Sequence, residues 1–294
     1  METQTIENTD KTYDVIIVGG GPGGVSTALY AARGGLGVLL LHTGASALHR
    51  AERIQNYFGP GEVSGAALYD AGLDQARAVG ATVKNAQVTF VAANGNGFEV
   101  STTAGTFAAH KLVLAVGAAR KSVPIPGISE HEGRGVSYCA VCDAFFYRKK
   151  TVAVIGAGEF ARHEYETLSR VAGKTYLLTD GKPADFADDV ITEKIDCITG
   201  GDRVTGVRFI GGKTLDVDGV FVAVGVAGAG EIAKSVGLIT DKNGMLKTDD
   251  VRMTNVPGLY AVGDCIPGVK QVAKAVFDGM TAGLDLVKNK SKMA

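Results

Sequence analysis

The 294-residue sequence contains no tryptophan and no apolar run of the length a bilayer-spanning helix requires, roughly 18–20 residues. It also lacks an excess of either charge. Thirty Lys and Arg stand against 31 Asp and Glu, a formal net charge of −1. That balance offers no electrostatic attraction to nucleic acid or to an anionic membrane, and neither is expected as a partner. The first dozen residues are polar and acidic, without the basic start and apolar centre of a signal peptide. A cytoplasmic location is expected, where structural disulfides are rare. Cysteine is sparse as well: there are four, and only Cys139 and Cys142 are close together. Such a pair reads as redox or metal chemistry rather than as a staple. A zinc site needs two further ligands. The five histidines (42, 49, 110, 131 and 163) are scattered, and there is no second Cys-x-x-Cys, so no metal is expected. Cys197 and Cys265 read as small buried apolar residues.

What the sequence has in abundance is glycine, 41 residues without a collagen-like repeat. This points to many tight turns and to close approaches of backbone to ligand. Hydrophobic residues at 46% and charged residues at 21% describe a globular chain. The length suits two domains better than one.

The glycines concentrate at two places. The β-branched run Tyr13-Asp14-Val15-Ile16-Ile17-Val18 predicts a strand buried on both faces. It enters Gly19-Gly20-Gly21-Pro22-Gly23-Gly24, and helical character follows from Val25 to Arg33. Gly19, Gly21 and Gly24 occupy the G-x-G-x-x-G positions. The first allows the turn, the second lets a pyrophosphate near the backbone, and the third lets helix and strand pack closely. A merely structural turn is the competing reading. Residues 38–41 predict the next strand, and His42 stands where an acid often binds the adenosine ribose. A helix is expected over 64–79, short strands near 82–83, 87–92 and 98–103, and a buried strand over 111–117 ending at Gly117. Residues 118–127, with two prolines, read as a linker. The cysteine pair follows. Then Thr151-Val152-Ala153-Val154-Ile155 leads into Gly156-Ala157-Gly158-Glu159-Phe160-Ala161 and a helix to about Val171, the same strand, turn and helix again. Two such units mean two dinucleotide sites, or one site and its relic. Further strands are expected over 204–210 and 217–224, a return linker over 225–230, a strand ending at Gly263-Asp264, and a closing helix from about Gln271 to Lys288. The expected fold class is α/β: two dinucleotide-binding, Rossmann-like, three-layer domains, the second inserted into the first. The first spans 1–118 and 245–294. The second spans 119–244 and carries Cys-x-x-Cys.

Over nearly its whole length the sequence resembles the low-molecular-weight thioredoxin reductases, a family of flavoproteins. The resemblance rests on Gly19–Gly24, Asn56-Tyr57, Cys139–Asp143, Gly156–Ala161, and Gly263-Asp264 with Lys270-Gln271, in that order. It implies FAD as cofactor, with Gly19, Gly21 and Gly24 at the pyrophosphate, Asp264 on flavin hydroxyls and Gln271 against the ring. Pro22, Gly23, His42, Asn56, Gly117, Gly263, Lys270 and Val272 would complete that site. The resemblance further implies that Cys139 and Cys142 form the redox disulfide and that Asp143 moves protons beside them. Arg134, Phe145 and Phe146 would grip thioredoxin or a thioredoxin-like protein. The family's mechanism takes electrons from pyridine nucleotide to flavin, to the disulfide, and to a partner's disulfide, with one domain rotating against the other. Homodimers are usual in the family.

The second nucleotide unit, with Gly156, Gly158, Ala161, Glu164 and Asp180, departs from the family pattern. NADPH-using members carry His-Arg-Arg where this chain has Thr179-Asp180-Gly181, and those arginines would pair with the 2′-phosphate. Asp180 would repel that phosphate, yet it stands roughly 20 residues beyond Gly158, where an acid can hold a free ribose 2′-OH. Glu164 matches an acidic position near the nicotinamide. NADPH is therefore disfavoured and NADH allowed. The stretches 133–139 and 272–276 are similar to relatives that take electrons from ferredoxin or a deazaflavin. Ferredoxin is placed first and NADH next. A competing function is a flavin-binding ferredoxin/NAD(P) oxidoreductase or regulatory flavoprotein with a vestigial cysteine pair. Several residues also have plain readings. Phe145 and Phe146, being adjacent, should point to different sides, so that at most one meets a partner. Asp143 can serve as an N-cap, and Arg134 as an ordinary loop charge.

Overall fold

The computed structural model describes residues 12–117, 123–138, 140–224, 232, 235–242 and 244–292. The chain divides into two compact units, Met1–Ala119 with Gly228–Ala294, and Arg120–Ala227. The second is thus inserted into the first, and each is Rossmann-like.

In the first unit, β1 (Thr12–Val18), β2 (Val38–His42) and β3 (Thr82–Asn85) run parallel. β4 (Val88–Asn94), β5 (Gly97–Thr102) and β6 (Gly105–Leu114) extend the same sheet in the order β3-β2-β1-β6-β5-β4. β1 and β6 are parallel, with Val18 opposite Leu114. The early part of β6 pairs antiparallel with β5, and its end pairs parallel with β15 (Leu259–Ala261). Because β6 serves both partners it begins earlier than the expected residue 111, and it stops at Leu114, before Gly117. Ile16, Ile17, Leu39, Leu40, Leu112 and Leu114 are fully or almost fully buried, as unbroken apolar runs in a covered parallel sheet should be.

Helix α1 (Pro22–Arg33) follows β1, and α2 (Gly65–Ala78) follows a loop and a short 3-10 turn. The closing helix, here α5 (Val272–Lys288), lies along α1. Glycine sets their separation. A Cβ on Gly279 would fall 2.2 Å from the Gly23 carbonyl oxygen, and one on Gly283 would fall 2.7 Å from Tyr30 Cβ. Ser26 Oγ crosses the seam to donate to the Val276 carbonyl at 2.7 Å.

The second unit opens with β7 (Val136–Ser137), the single helical turn α3 (Ala140–Asp143) and a 3-10 turn (Ala144–Tyr147). Next come β8 (Thr151–Ile155), α4 (Glu159–Ser169), β9 (Lys174–Leu178) and β10 (Val190–Ile191). With β14 (Gly219–Val222) they form a parallel sheet in the order β10-β9-β8-β14-β7. A separate antiparallel sheet, β11 (Ile195–Gly200), β12 (Val204–Phe209) and β13 (Thr214–Asp216), packs Ile198, Val207 and Phe209 against Ile155, Leu178 and Val220.

One expectation needs correction. Residues 237–244 belong with the first unit and not the second. Asn255 accepts from Ile239 N and donates to the Gly237 carbonyl, both at 2.9 Å, and Leu246 N donates to the Cys265 carbonyl at 2.9 Å. The side-chain amide of one residue thus anchors the returning chain before residue 245. The stretch 181–203 holds two short strands, β10 and β11. Most of the two expected linkers, at 118–122 and 225–230, lies outside the described residues. Among the described residues no helix is long and apolar enough to cross a membrane.

Gly279→Ala should force α1 and α5 apart and cost about 1–3 kcal/mol, the usual range for overpacking. Urea unfolding of the variant should show a lower midpoint with an unchanged slope.

Candidate functional site

In the first unit the β1–α1 turn is built by backbone meeting backbone. Gly19 has φ +117°, and a Cβ there would sit 2.2 Å from the Ala115 carbonyl oxygen. A Cβ on Gly24 would sit 1.9 Å from the Gly19 oxygen. Gly19 N donates to the Leu41 carbonyl and Ala115 N to the Val18 carbonyl, both at 2.8 Å, so the ends of three strands close on the turn. Gly21 is the helix N-cap with extended backbone and no side-chain cap, and Pro22 opens the helix without an N–H to satisfy. The first-turn N–H groups have no intrahelical acceptor, which makes this end a cradle for an anion. A Cβ on Gly21 would meet only Ser46 Oγ at 3.8 Å, and Gly117, at φ +76°, faces open space.

The start of α5 lies beside this cradle, since a Cβ on Gly23 would come within 3.3 Å of the Ala275 carbonyl oxygen. Gln271 is the N-cap but caps with no side-chain bond. Its Oε1 accepts from Asn56 Nδ2 at 3.0 Å, joining two loops far apart in sequence. Lys270 and Val272 flank it, Lys270 exposed. Asp264 lies in a 3-10 turn (Gly263–Cys265) and is partly buried. Burial pushes its carboxyl above the ordinary range, opposed by Lys274 and Lys270 and reinforced by Asp278.

Asp278 is the residue that sequence reasoning missed. It is fully buried on α5 and accepts from Arg252 Nε at 2.9 Å, Lys274 Nζ at 2.8 Å and Gly263 N at 3.1 Å. Lys274 Nζ also donates to the Gly263 carbonyl at 2.9 Å. A buried carboxylate thereby fixes the backbone immediately before Asp264. The available signal was the Lys274/Asp278 spacing on a helix, which commonly marks a solvated pair.

His42 ends β2, at the place an acid often takes. It is buried, and its Nδ1 accepts from Gly44 N at 3.1 Å and from the Tyr69 hydroxyl at 3.2 Å. Burial first, then the Arg77 charge, lowers its pKa, so the ring is neutral near pH 7. Cys265 is inert. Its thiol donates to the Leu114 and Val262 carbonyls, and burial pushes its pKa up to about 12.

The second unit repeats the turn. A Cβ on Gly156 would fall 2.3 Å from the Ala223 oxygen and 2.7 Å from Ala161 Cβ. Gly156 N donates to the Leu178 carbonyl at 3.0 Å, and Ala223 N to the Ile155 carbonyl at 2.8 Å. Gly158 caps α4 and faces open space. A cleft of about 410 Å³ opens here, lined by Gly156, Gly158, Thr179, Asp180 and Lys182 among others. Its charged lining residues are Asp180 and Lys182. Glu159 already places a carboxylate in the first turn of α4. No arginine lines the cleft among the described residues. Asp180 is partly committed elsewhere: its Oδ1 accepts from Ile195 N at 2.9 Å, and Lys194 Nζ donates to its carbonyl at 2.8 Å. Ala161 and Glu164 do not line the cleft. Ala161 is buried behind Gly156, and the Glu164 carboxylate accepts from the backbone N–H of Ala140.

Cys139 and the side chain of Cys142 lie outside the described residues, while the backbone of Cys142 belongs to α3. Asp143 Oδ2 accepts from Ser137 Oγ at 2.7 Å. It makes no side-chain cap to the following turn, which removes the N-cap reading. Phe145 and Phe146 are each 69% exposed. They sit in a 3-10 turn, where neighbouring side chains do not alternate as they do in a strand. Arg148 lies over the Phe145 ring at 4.9 Å, and Arg134 donates to the Glu130 carbonyl.

The profile of the pyridine nucleotide-disulphide oxidoreductase family matches residues 13–183 and 188–279, and the chain belongs to that family. Among curated relatives, the thioredoxin reductase of Listeria innocua is 33% identical over 306 residues, covering 95% of this chain and 94% of its own. The thioredoxin reductase of Aquifex aeolicus is 33% identical over 98% of this chain and 96% of its own. Among solved structures, the atypical thioredoxin reductase TRi from Desulfovibrio vulgaris Hildenborough aligns with TM-score 0.87 at 32% identity, over 95% of this chain and 99% of that one. A ferredoxin-flavin thioredoxin reductase from Clostridium acetobutylicum aligns with TM-score 0.78 at 30% identity, over 96% and 99%. The chain is a thioredoxin reductase-like, FAD-binding disulfide oxidoreductase. Its first unit fits that cofactor, with an open glycine cradle, two uncapped helix starts and a desolvated carboxylate at one end.

Removing Asp278 would strand two largely buried cations. Asp278→Ala should cost about 3 kcal/mol, the lower end for a broken buried pair because Arg252 and Lys274 keep some solvent. Urea unfolding measures it. Asp264→Asn should act in the opposite direction on the flavin-free chain. A carboxyl whose pKa is raised on folding loses stability as pH climbs through that range, and the loss persists at neutral pH. Its neutral replacement should raise the apoprotein Tm at pH 7 and flatten its dependence between pH 4 and 7, while FAD binds more weakly in a fluorescence titration.

Proposed function

We propose that this chain reduces the disulfide of thioredoxin or a thioredoxin-like protein through Cys139 and Cys142, and that it takes electrons from a donor other than NADPH. Ferredoxin is placed first and NADH next. The observation that carries the donor reading is the second cleft, which is lined by Asp180 and Lys182 and, among the described residues, by no arginine. The ferredoxin-flavin thioredoxin reductase among the structural neighbours favours ferredoxin over NADH. The partial commitment of Asp180 to Ile195 N and Lys194 further weakens it as a ribose ligand.

In this reading Gly19, Gly21, Pro22, Gly23 and Gly24 cradle the FAD pyrophosphate, aided by Gly117 and Gly263. Asp264 accepts hydrogen bonds from cofactor hydroxyls, held in place by the Asp278 network. Asn56 and Gln271, already bonded to each other, bring the start of α5 to the ring, with Lys270 and Val272 beside them. Bound there, FAD supplies a carrier of two electrons that can be loaded singly or as a pair. Asp143, oriented by Ser137, gives and takes the thiol proton. One thiolate of the reduced pair attacks a sulfur of the partner's disulfide and forms a mixed disulfide. The second displaces it, leaving the pair oxidised and the partner as a dithiol. Phe145, Phe146 and Arg134 form the partner's docking surface, the two rings giving exposed apolar area and Arg148 lying over the Phe145 ring. A homodimer belongs to the same proposal.

Stopped-flow spectra should show rapid bleaching of the flavin band by reduced ferredoxin and slow bleaching by NADPH. Rapid bleaching by NADPH would overturn the donor reading. Cys142→Ser should abolish thioredoxin reduction while flavin reduction continues, and partner reduction surviving that change would sink the exit route. Phe146→Ala should raise KM for thioredoxin roughly fivefold, the cost of truncating a moderate interface anchor.

A further inference from the structure

We propose that Glu164 is a positioning residue of the redox reaction, one that clamps the cysteine-bearing turn and makes the pair a stronger reductant. The inference rests on the reading of Cys139 and Cys142 as the redox pair. The family resemblance matches Glu164 to an acidic position near the nicotinamide. In the structure its carboxylate also meets the cysteine-bearing turn. Glu164 lies on the buried face of α4 with Phe160, Ala161, Tyr165 and Leu168, and is only 3% exposed. Burying a carboxylate is costly unless strong donors satisfy it. Its Oε2 accepts from the backbone N–H of Ala140, the residue that follows Cys139 and opens α3.

α3 is one turn of four residues, far too short to hold itself in helical form. Two carboxylates fix it. Glu164 binds the first N–H, and Asp143, the last residue, is tied to Ser137 on β7. The turn is thereby fastened to two rigid elements, α4 and β7.

Charge gives the clamp a second consequence. A thiol at a helix start normally has its thiolate favoured by the unsatisfied N–H groups. A carboxylate that occupies the first of those groups opposes this, because it repels a thiolate nearby. Disfavouring the thiolate raises the free energy of the reduced pair. A pair whose reduced form is less stable is the stronger reductant, the reverse of the case in which a stabilised thiolate makes a strong oxidant. Dithiol plus glutathione disulfide then lies further toward protein disulfide plus two glutathiones, with both electrons and both protons carried by glutathione.

The experiment uses the full-length, FAD-loaded protein. Wild type and Glu164→Gln are equilibrated in glutathione redox buffers, quenched by alkylation, and the 139/142 peptide is quantified by mass. Glu164→Gln keeps an acceptor for Ala140 N–H and removes the charge. Its equilibrium constant should favour the dithiol by about tenfold more than wild type, a shift of about 30 mV for a two-electron couple. A constant within twofold of wild type overturns the electrostatic role. Hydrogen exchange on the wild type tests the clamp without relying on a variant. The Ala140 amide should exchange at least a hundredfold more slowly than an unstructured amide, and free exchange overturns the clamp. Failure of the underlying reading looks different. A wild-type pair that never forms an intramolecular disulfide in any buffer removes the redox pair itself, and Glu164's role with it.

Discussion

Both units depend on one contact, in which the first glycine of a strand-to-helix turn lies directly over a carbonyl at the end of the neighbouring strand. Gly19 does this over Ala115 and Gly156 over Ala223, each closer than a Cβ would permit. The same two flanking hydrogen bonds recur, from the glycine N to the next strand and from the alanine N to the strand before the turn. This fixes where each helix starts relative to three strand ends. Whatever sits at that corner meets backbone N–H groups and little side chain. The chemistry of each unit is then decided by the few charges set around the corner.

Those charges differ, although the skeleton is shared. The first corner receives a second helix start, because Gly23 and Gly279 allow α5 to lie against α1. It also receives a carboxylate, Asp264, held in a dry setting by the Asp278 ion cluster. The second corner receives Glu159 in its first helical turn and Asp180 at the next strand end, with Lys182 as the lining cation. Both corners offer polarised N–H groups at a helix start, and the side-chain charges around them differ.

The strands and turns were legible because their physical causes are local. A strand covered on both faces must be apolar without interruption, and a backbone that touches a carbonyl must be glycine. The order of the two turns and the closing helix followed from that. Other features were not legible because they depend on tertiary partners. Asp278 carries the same sequence signal as a solvated helix charge, and only Arg252, folded back from a distant loop, shows that it is buried. Lys194 and Ile195, at the start of β11, meet Asp180 through contacts that no local pattern announces. The exposure of both Phe145 and Phe146 goes with a 3-10 turn that the sequence pattern does not mark. The return of the chain was placed too late because Asn255, from beyond the boundary, does the anchoring.

Asp278 and Glu164 reveal a common solution in two settings. Each is a carboxylate on the buried face of a helix, and each gives an oxygen to a backbone N–H, Gly263 in one unit and Ala140 in the other. In both cases the backbone it holds immediately adjoins a group proposed to react or bind, Asp264 or Cys139. A surface side chain could supply the same hydrogen bond, but solvent would compete for it and the segment would fray. Burial removes that competition, at a desolvation cost that only a rigid helix and a well-aligned donor can offset. The two short segments are therefore held by the long helices, and the local geometry at Gly263 and Ala140 is set by side chains buried on those helices.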